Sequence, residues 1–582
     1  MKSIIYRIVL VAIFAPGIFS LSCSSGGSTS PPQPQPFYVD AVNGMDSNTG
    51  TNSSNPWQSL AKVSASSVPF GSTIYLKRGG VWYEQLTIPS SGITIDSYGT
   101  GTLPRIDGSR EIAGWTETPP GSGLYSTVVT LAPEEALGNL SENGAMMSFQ
   151  TWTADAAATF SGAPINSFSY EYPSKLYIKP SSSPSENVYR ASVKLFGIDA
   201  TSKSDITVKN VDITRFSLHG VQYKDCIRCE VYNSTITKGG GAVVVSAPIL
   251  YAGNGIEYDN SSANGVVDGV TVSDIFDSGI SPQTWVSDQT MTSISIRNAQ
   301  ISSCGFAGIE VSVLDNAGTT GSSMTGVLIS GVTITNSGRG WSGRRYGTEG
   351  NGIRVKADSG AGSISGVSIG TSSISGSIGD GVKLAGNIGT VSLHRMNITD
   401  NYYGISLQEP NATSAKLRLT SSLIHHNASY GIFYNSPTAA GFELFQNTLS
   451  DNGVINLAVY SHTGTAKIQN NIFHGSASMT HLYSVQTLTN AVINNNCYNE
   501  YPLMFGYDGT VCGLVSAFTA STGFEANGMG GAVGLSDPAS GKFELLDASQ
   551  CKALGSTSVG VLDDYSAFPF AVPPSSGAYQ YR

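Results

Sequence analysis

Between Ile206 and Asn499 one short pattern recurs about ten times, and that repetition restricts the fold more than any other feature of the chain. One phrase has the form ITVKNVDIT (206–214). It returns as VTVSDIF, ISIRNAQIS, VLISGVTIT, VSIGTSSIS, VSLHRMNIT, LRLTSSLIH, FELFQNTLS, AKIQNNIFH and AVINNNCYN. A second phrase sets a glycine before alternating apolar residues: HGVQY, NGIEY, SGISP, AGIEV, NGIRV, DGVKL, YGISL and YGIFY. The glycine phrases lie roughly 23 to 44 residues apart, within or near the period of solenoid repeats. Apolar residues at every second place mark strands, because successive strand side chains face opposite ways. No helical period is sustained. Short strands stacked coil upon coil make an all-β parallel β-solenoid. The 582 residues therefore read as one long solenoid with additions.

Charged residues are only 12 % of the chain, but the apolar 40 % is enough to fill a narrow coil, which excludes a disordered polymer. Gly, Ser and Asn crowd the expected corners, where left-handed backbone is needed. The N-terminus has the form of an export signal: Lys2 and Arg7 beside the short apolar run IVLVAIFAPGIF, too short for a transmembrane helix. Residues 24–36 (SSGGSTSPPQPQP) form a flexible, partly polyproline tether. Removing residues 1–22 takes away Lys2 and Arg7 and no acid, so the net charge of −10 becomes −12. That excludes a nucleic-acid partner, which needs a basic footprint. Six cysteines follow Cys23, and export permits disulfides. Cys497 with Cys512 is the expected local pair. Cys226-Ile227-Arg228-Cys229 lacks the second CxxC or the histidine that zinc or haem attachment requires, which leaves buried thiols or a local disulfide.

Several segments carry a resemblance to known proteins. SLSC (20–23) resembles a bacterial lipoprotein signal, which implies lipidation at Cys23, an envelope location and membrane contact through that lipid alone; ordinary secretory cleavage is the alternative. FYVDAVNGMDSNTGTNSSNPWQSL (37–60), GSTIYLKRGGVWYEQLTI (71–88), ITIDSYGTGTLPRIDG (93–108) and FELLDASQCKALGS (543–556) resemble exported right-handed parallel β-helix proteins of the pectate-lyase-like superfamily. The resemblance implies a carbohydrate-active protein acting on a polysaccharide as a monomer. Its organisation is a signal at 1–22, a tether at 23–36, N-terminal coils at 37–114, a β-rich insert at 115–200, and the main helix with its C-terminal cap at 201–582. Asn351-Gly352-Ile353-Arg354-Val355-Lys356 is similar to the NGIRIK strand of polygalacturonases, whose Arg and Lys bind substrate. The paired aspartates and Gly-His-Gly that should precede it are absent.

If the coils are in register, the second and fourth residues after each phrase glycine make two outward columns. The first reads Gln222, Glu257, Ser281, Glu310, Arg354, Lys383, Ser406, Phe433; the second Lys224, Asp259, Gln283, Ser312, Lys356, Ala385, Gln408, Asn435. Acids occupy the coils from Glu257 to Glu310, and bases follow at Arg354, Lys356 and Lys383. The longest gap between glycine phrases holds NSGRGWSGRRYGTEGNG (336–352), with Arg339, Arg344 and Arg345 near Trp341 and Tyr346. Cations beside aromatic faces suit a sugar ring and its carboxylate.

Two chemistries fit. In a uronate lyase, Lys383 or Lys356 takes the proton next to the carboxylate. Arg354 clamps that carboxylate, with Gln283, Arg344, Arg345, Trp341 and Tyr346 as further substrate contacts. In an inverting hydrolase, Glu257 and Glu310 stand two coils or about 9.6 Å apart, near the upper end of the inverting separation. Asp259 and Asp277 are further acids, and Asp259 is alternatively a Ca2+ ligand, although neither chemistry requires a cofactor. A non-catalytic glycan-binding or adhesin-like surface protein would use the same residues. So would a plain cross-coil ion pair between Glu310 and Arg354, worth under about 1 kcal/mol if exposed.

Overall fold

The computed structural model describes residues 33–582 except 154, 247–248, 315–320, 342–348, 359, 361, 409–415, 438–440, 477, 489 and 502–503. Three long sheets of fourteen strands each run along the molecule. One coil gives one strand to each sheet, as with Ile227–Tyr232, Thr235–Gly239 and Ile256–Asp259. The glycine phrases all fall in one sheet. Their inward residues stack in unbroken register, Val221 on Ile256, Ile256 on Ile280, Ile280 on Ile309 and Ile309 on Ile353, and continue to Leu457 and Leu482. All of these are buried and belong to one continuous core. A one-residue slip would turn every such side chain outward, so burial itself holds the register.

The phrase glycines answer a need other than left-handed backbone. A Cβ on Gly255 would sit 2.4 Å from the Gly279 carbonyl oxygen, and one on Gly404 equally close to that of Gly431. Glycine is there because neighbouring coils pass too closely for any side chain. Left-handed backbone instead gathers at the corner between the two strands of the first phrase, at Asn210, Asn233, Asn298, Asn470 and Asn495. Asparagines also bridge coils inside the helix: Asn447 donates to Asn471 at 3.0 Å, Asn471 to Asn496 at 3.0 Å, and Asn496 to Glu525 Oε1 at 2.6 Å.

The interruption near the N-terminal end folds into two small, mainly antiparallel sheets between Ser109 and Ser192, and parallel pairing resumes at Phe196–Asp199. Phe168, Tyr170, Leu176 and Ile178 form its core, which continues into Tyr251, Phe276 and Trp341 of the main helix. The far end is closed by the helix Val515–Thr522, whose Phe518 stacks on Phe505 at 4.2 Å. The expected Cys497–Cys512 bond is not formed. Cys497 pairs with Cys551, because the C-terminal tail folds back along the helix and brings Cys551 to the last coils, where Ser576 also bonds Asn495. Cys226 pairs with Cys229, while Cys304 and Cys512 are free.

Candidate functional site

The outward columns lie on one sheet and in one register. Gln222 pairs with Glu257, Glu257 with Ser281, Glu310 with Arg354, Arg354 with Lys383, Lys383 with Ser406 and Ser406 with Phe433. Exposure is where the structure departs from the sequence. Glu257 is 2 % exposed and Glu310 5 %. Small neighbours explain this: Ser281 stands in the column next to Glu257 and leaves room for a long side chain, and Ser312, on the same strand as Glu310, bonds it.

Glu257 accepts from Asn254 Nδ2 at 2.7 Å and from Gln283 Nε2, so Gln283 serves the glutamate rather than an open groove. Burial, helped by the charge of Asp259, holds the Glu257 carboxyl far above the ordinary range. Burial also pushes Asp259 up to about 6, against the pull of Lys224, whose Nζ is 3.8 Å away. Glu310 accepts from Arg354 Nη1 at 2.8 Å, Ser312 Oγ at 3.0 Å and Ser278 Oγ at 3.0 Å. The guanidinium lies 5.1 Å over the Phe306 ring. The expected weak surface pair is therefore a buried ion pair, and Arg354 is already bound to a resident carboxylate. Lys356 is 2.7 Å from Asp358 Oδ1.

Lys383 leads to a cluster that the column reading passed over. Its Nζ donates to Glu349 Oε1 at 2.7 Å. Asn351 ties the neighbours together: its Nδ2 donates to the Glu349 carbonyl at 2.9 Å and Oε2 at 3.3 Å, and its Oδ1 accepts from the Asp380 amide at 3.0 Å. Asp380 also accepts from Ser406 Oγ. The two carboxyls are driven apart in acidity. Burial pushes Asp380 up to about 6 despite Ser406 and Lys383. Burial would raise Glu349 as well, but the hydrogen bond and charge of Lys383 outweigh it and leave Glu349 below its ordinary value. The Glu349 side chain is 38 % exposed, so this cluster reaches solvent through Glu349, whereas Asp380 is 5 % exposed, as buried as Glu310.

One signal for Asp380 was present in the sequence: it stands directly before the phrase glycine of DGVKL, in the column that holds Asn254, Asn351, Tyr403 and Tyr430. Glu349 had no repeat position to mark it. Trp341, expected as a substrate contact, instead packs 5.2 Å from Phe276 in the seam with the inserted module and donates Nε1 to the Gly239 carbonyl at 3.0 Å. Aromatic residues of the module surround it, which the phrase pattern could not foresee. Asp277 sits beside Phe276 at that corner, with its amide bonded to Gly253. Arg344, Arg345, Tyr346 and Cys23 lie outside the described residues. Among the described residues no group of three or more His, Cys, Asp or Glu side chains could hold a metal ion, Asp259 included.

Residues 286–473 match the family model for a right-handed beta helix region. No curated protein sequence matches the chain. Among solved structures, XylC in complex with xylose shares 12 % identity with a TM-score of 0.53, covering 94 % of this chain and 98 % of that one. A glycoside hydrolase is similar at 10 % identity and TM-score 0.38, covering 84 % of this chain and 99 % of its own. Pectate lyase Pel9A follows at 13 % and 0.35, covering 94 % and 97 %. Only the first of these overlaps well enough to speak for a shared fold. Sheet order, cross-coil register and family model together make this chain a right-handed parallel β-helix carrying a β-rich module near its N-terminal end.

Proposed function

We propose that this is a polysaccharide-active β-helix that hydrolyses glycosidic bonds at the Asp380–Glu349–Lys383 cluster. The observation that carries the reading is the opposed acidity of two neighbouring carboxyls, Asp380 pushed up to about 6 and Glu349 held below its ordinary value. Carboxyl pairs pushed apart in this way divide into an acid and a base. Asp380 protonates the leaving oxygen, and ionised Glu349 activates the water or attacks the sugar carbon. Lys383 keeps Glu349 ionised, and Asn351 positions both. The superfamily resemblance supports a sugar polymer as the substrate, and XylC, which shares the fold, binds a sugar, xylose.

Lyase cleavage of a uronate polymer, with Lys383 as base and Arg354 as clamp, ranks second. Lys383 stands in the right column, but Arg354, Lys356 and Lys383 each already face a resident carboxylate. Incubating the protein with neutral and uronic-acid polysaccharides separates the two: new reducing ends without ultraviolet absorbance signify hydrolysis, and unsaturated products signify the lyase. Asp380→Asn should lower hydrolytic turnover by about 10²–10⁴-fold, the usual contribution of a positioned acid. Turnover unchanged in that variant would remove Asp380 from the chemistry. Binding without any product would leave a non-catalytic glycan binder. Lipidation at Cys23 would hold the protein at the cell envelope, and Cys23→Ser should release it from the membrane fraction; equal retention would exclude the anchor.

A further inference from the structure

Beyond Ser406 the same sheet changes character. Tyr403 follows Asp380 in the next coil, and Tyr430 follows Tyr403. Phe433 takes the place that Lys383 and Ser406 hold upstream, and Tyr483 takes it two coils later. The rings touch in sequence. Tyr403 and Tyr430 lie 5.1 Å apart with planes 11° from parallel, Tyr430 and Phe433 5.4 Å apart at 8°, Phe433 and Tyr460 5.2 Å apart, and Tyr460 and Tyr483 5.6 Å apart. Tyr402 and Tyr460 are 45 % and 36 % exposed, and the other four are half-buried. Such ladders stabilise a solenoid when they face inward. Here the inward positions are filled by Ile405, Ile432, Leu457 and Leu482, so the aromatic ladder is an addition on the outer face.

The strands Tyr403–Gln408, Tyr430–Asn435, Ile455–Ser461 and Thr480–Ser484 contain no Lys, Arg, Asp or Glu. A polyanion finds no described counter-charge there. Aromatic faces bordered by Gln408, Asn435 and tyrosine hydroxyls match a ligand with apolar C–H faces and hydroxyl edges. The coil step of about 4.8 Å is close to the length of one pyranose unit, so successive rings can meet successive sugars along the helix axis. We infer that Tyr402, Tyr403, Tyr430, Phe433, Tyr460 and Tyr483 form a binding track for an uncharged polysaccharide chain, running from the Asp380–Glu349 cluster toward the C-terminal end. This rests on the proposed hydrolase and names its substrate class: a neutral glycan, fed lengthwise along the sheet.

The test is calorimetric titration of the full chain, carrying Asp380→Asn to stop turnover, with cellohexaose, xylohexaose and hexagalacturonate. At least one neutral hexasaccharide should bind more tightly than hexagalacturonate. Phe433→Ala and Tyr460→Ala should each weaken it about tenfold or more, and Phe433→Tyr should restore it to within about threefold. Melting curves of each variant guard against misfolding, and exposed Tyr460 is the safer of the two positions. A neutral hexasaccharide that binds all variants equally, or hexagalacturonate bound as tightly, overturns the track. If wild-type protein still releases reducing ends in that case, the hydrolase reading survives without it. If no glycan is bound or cleaved, both fall.

Discussion

One sheet in one register carries two unlike surfaces. From Glu257 to Lys383 the side chains are ionisable, mutually bonded and mostly buried; from Tyr403 to Tyr483 they are aromatic and partly open. The scaffold does not cause the difference, since the inward residue after each phrase glycine remains Ile or Val from Val221 to Ile432 and is Leu at Leu457 and Leu482. A parallel ladder fixes where a side chain stands, and residue type then decides whether it seals against its neighbours or waits for a ligand. The upstream half meets its own needs, as each described cation of the column has a carboxylate partner. The downstream half leaves aromatic area uncovered.

The largest effect should come from breaking the sealed half. Arg354→Ala strands the buried Glu310 carboxylate, and loss of one partner of a buried ion pair costs about 3–5 kcal/mol. Urea unfolding should show it. Replacing both residues at once, as Glu310→Leu with Arg354→Met, should restore most of the loss, because no charge is then left unpaired. A single variant as stable as wild type would mean that this half is open after all.

Asp380 allows a finer test through pH. Its folded value of about 6 stands above the ordinary 3.8, so between those limits the folded state holds a proton that the unfolded chain has released. This stabilising contribution is complete below about pH 4 and is lost as pH rises through about 6. Glu349 acts in the opposite sense, adding stability above its ordinary value that is lost at lower pH. The readout is therefore the difference between wild type and Asp380→Asn. The wild type should lose on the order of 1–3 kcal/mol relative to the variant from pH 4 to pH 7. A flat difference would place Asp380 in open water.

The fold was legible because register, period and alternation all belong to the backbone repeat, which the phrases copy coil by coil. Glu257, Glu310, Arg354 and Lys383 were placed on one sheet for the same reason. Their burial was not legible, because it depends on the size and bonding of the neighbours, such as Ser281 in the coil next to Glu257 and Ser312 on the strand of Glu310. Trp341 looked like a sugar platform until the inserted module, which lies outside the repeat, supplied Phe168 and Phe149 as its neighbours. Asp380 and Glu349 were missed for a related reason. One sits at the corner before the glycine and the other in a long loop, so neither falls on the outward alternation.

The smallest effect on stability should come from the open half, which makes Tyr460→Ala the sharpest control on the comparison. Tyr460 contacts Phe433 at 5.2 Å and Tyr483 at 5.6 Å, and its hydroxyl lies 3.3 Å from that of Tyr430. Aromatic pairs contribute about 0.5–1.5 kcal/mol each beyond area burial, and partial exposure cuts the area gain further. With two such pairs the variant should lose about 1–3 kcal/mol in the same urea experiment, less than the Arg354→Ala loss, while its glycan affinity falls about tenfold. A stability loss equal to that of Arg354→Ala would make the aromatic ladder a structural brace. The two halves of the sheet would then differ in chemistry alone and share one task, holding coil to coil.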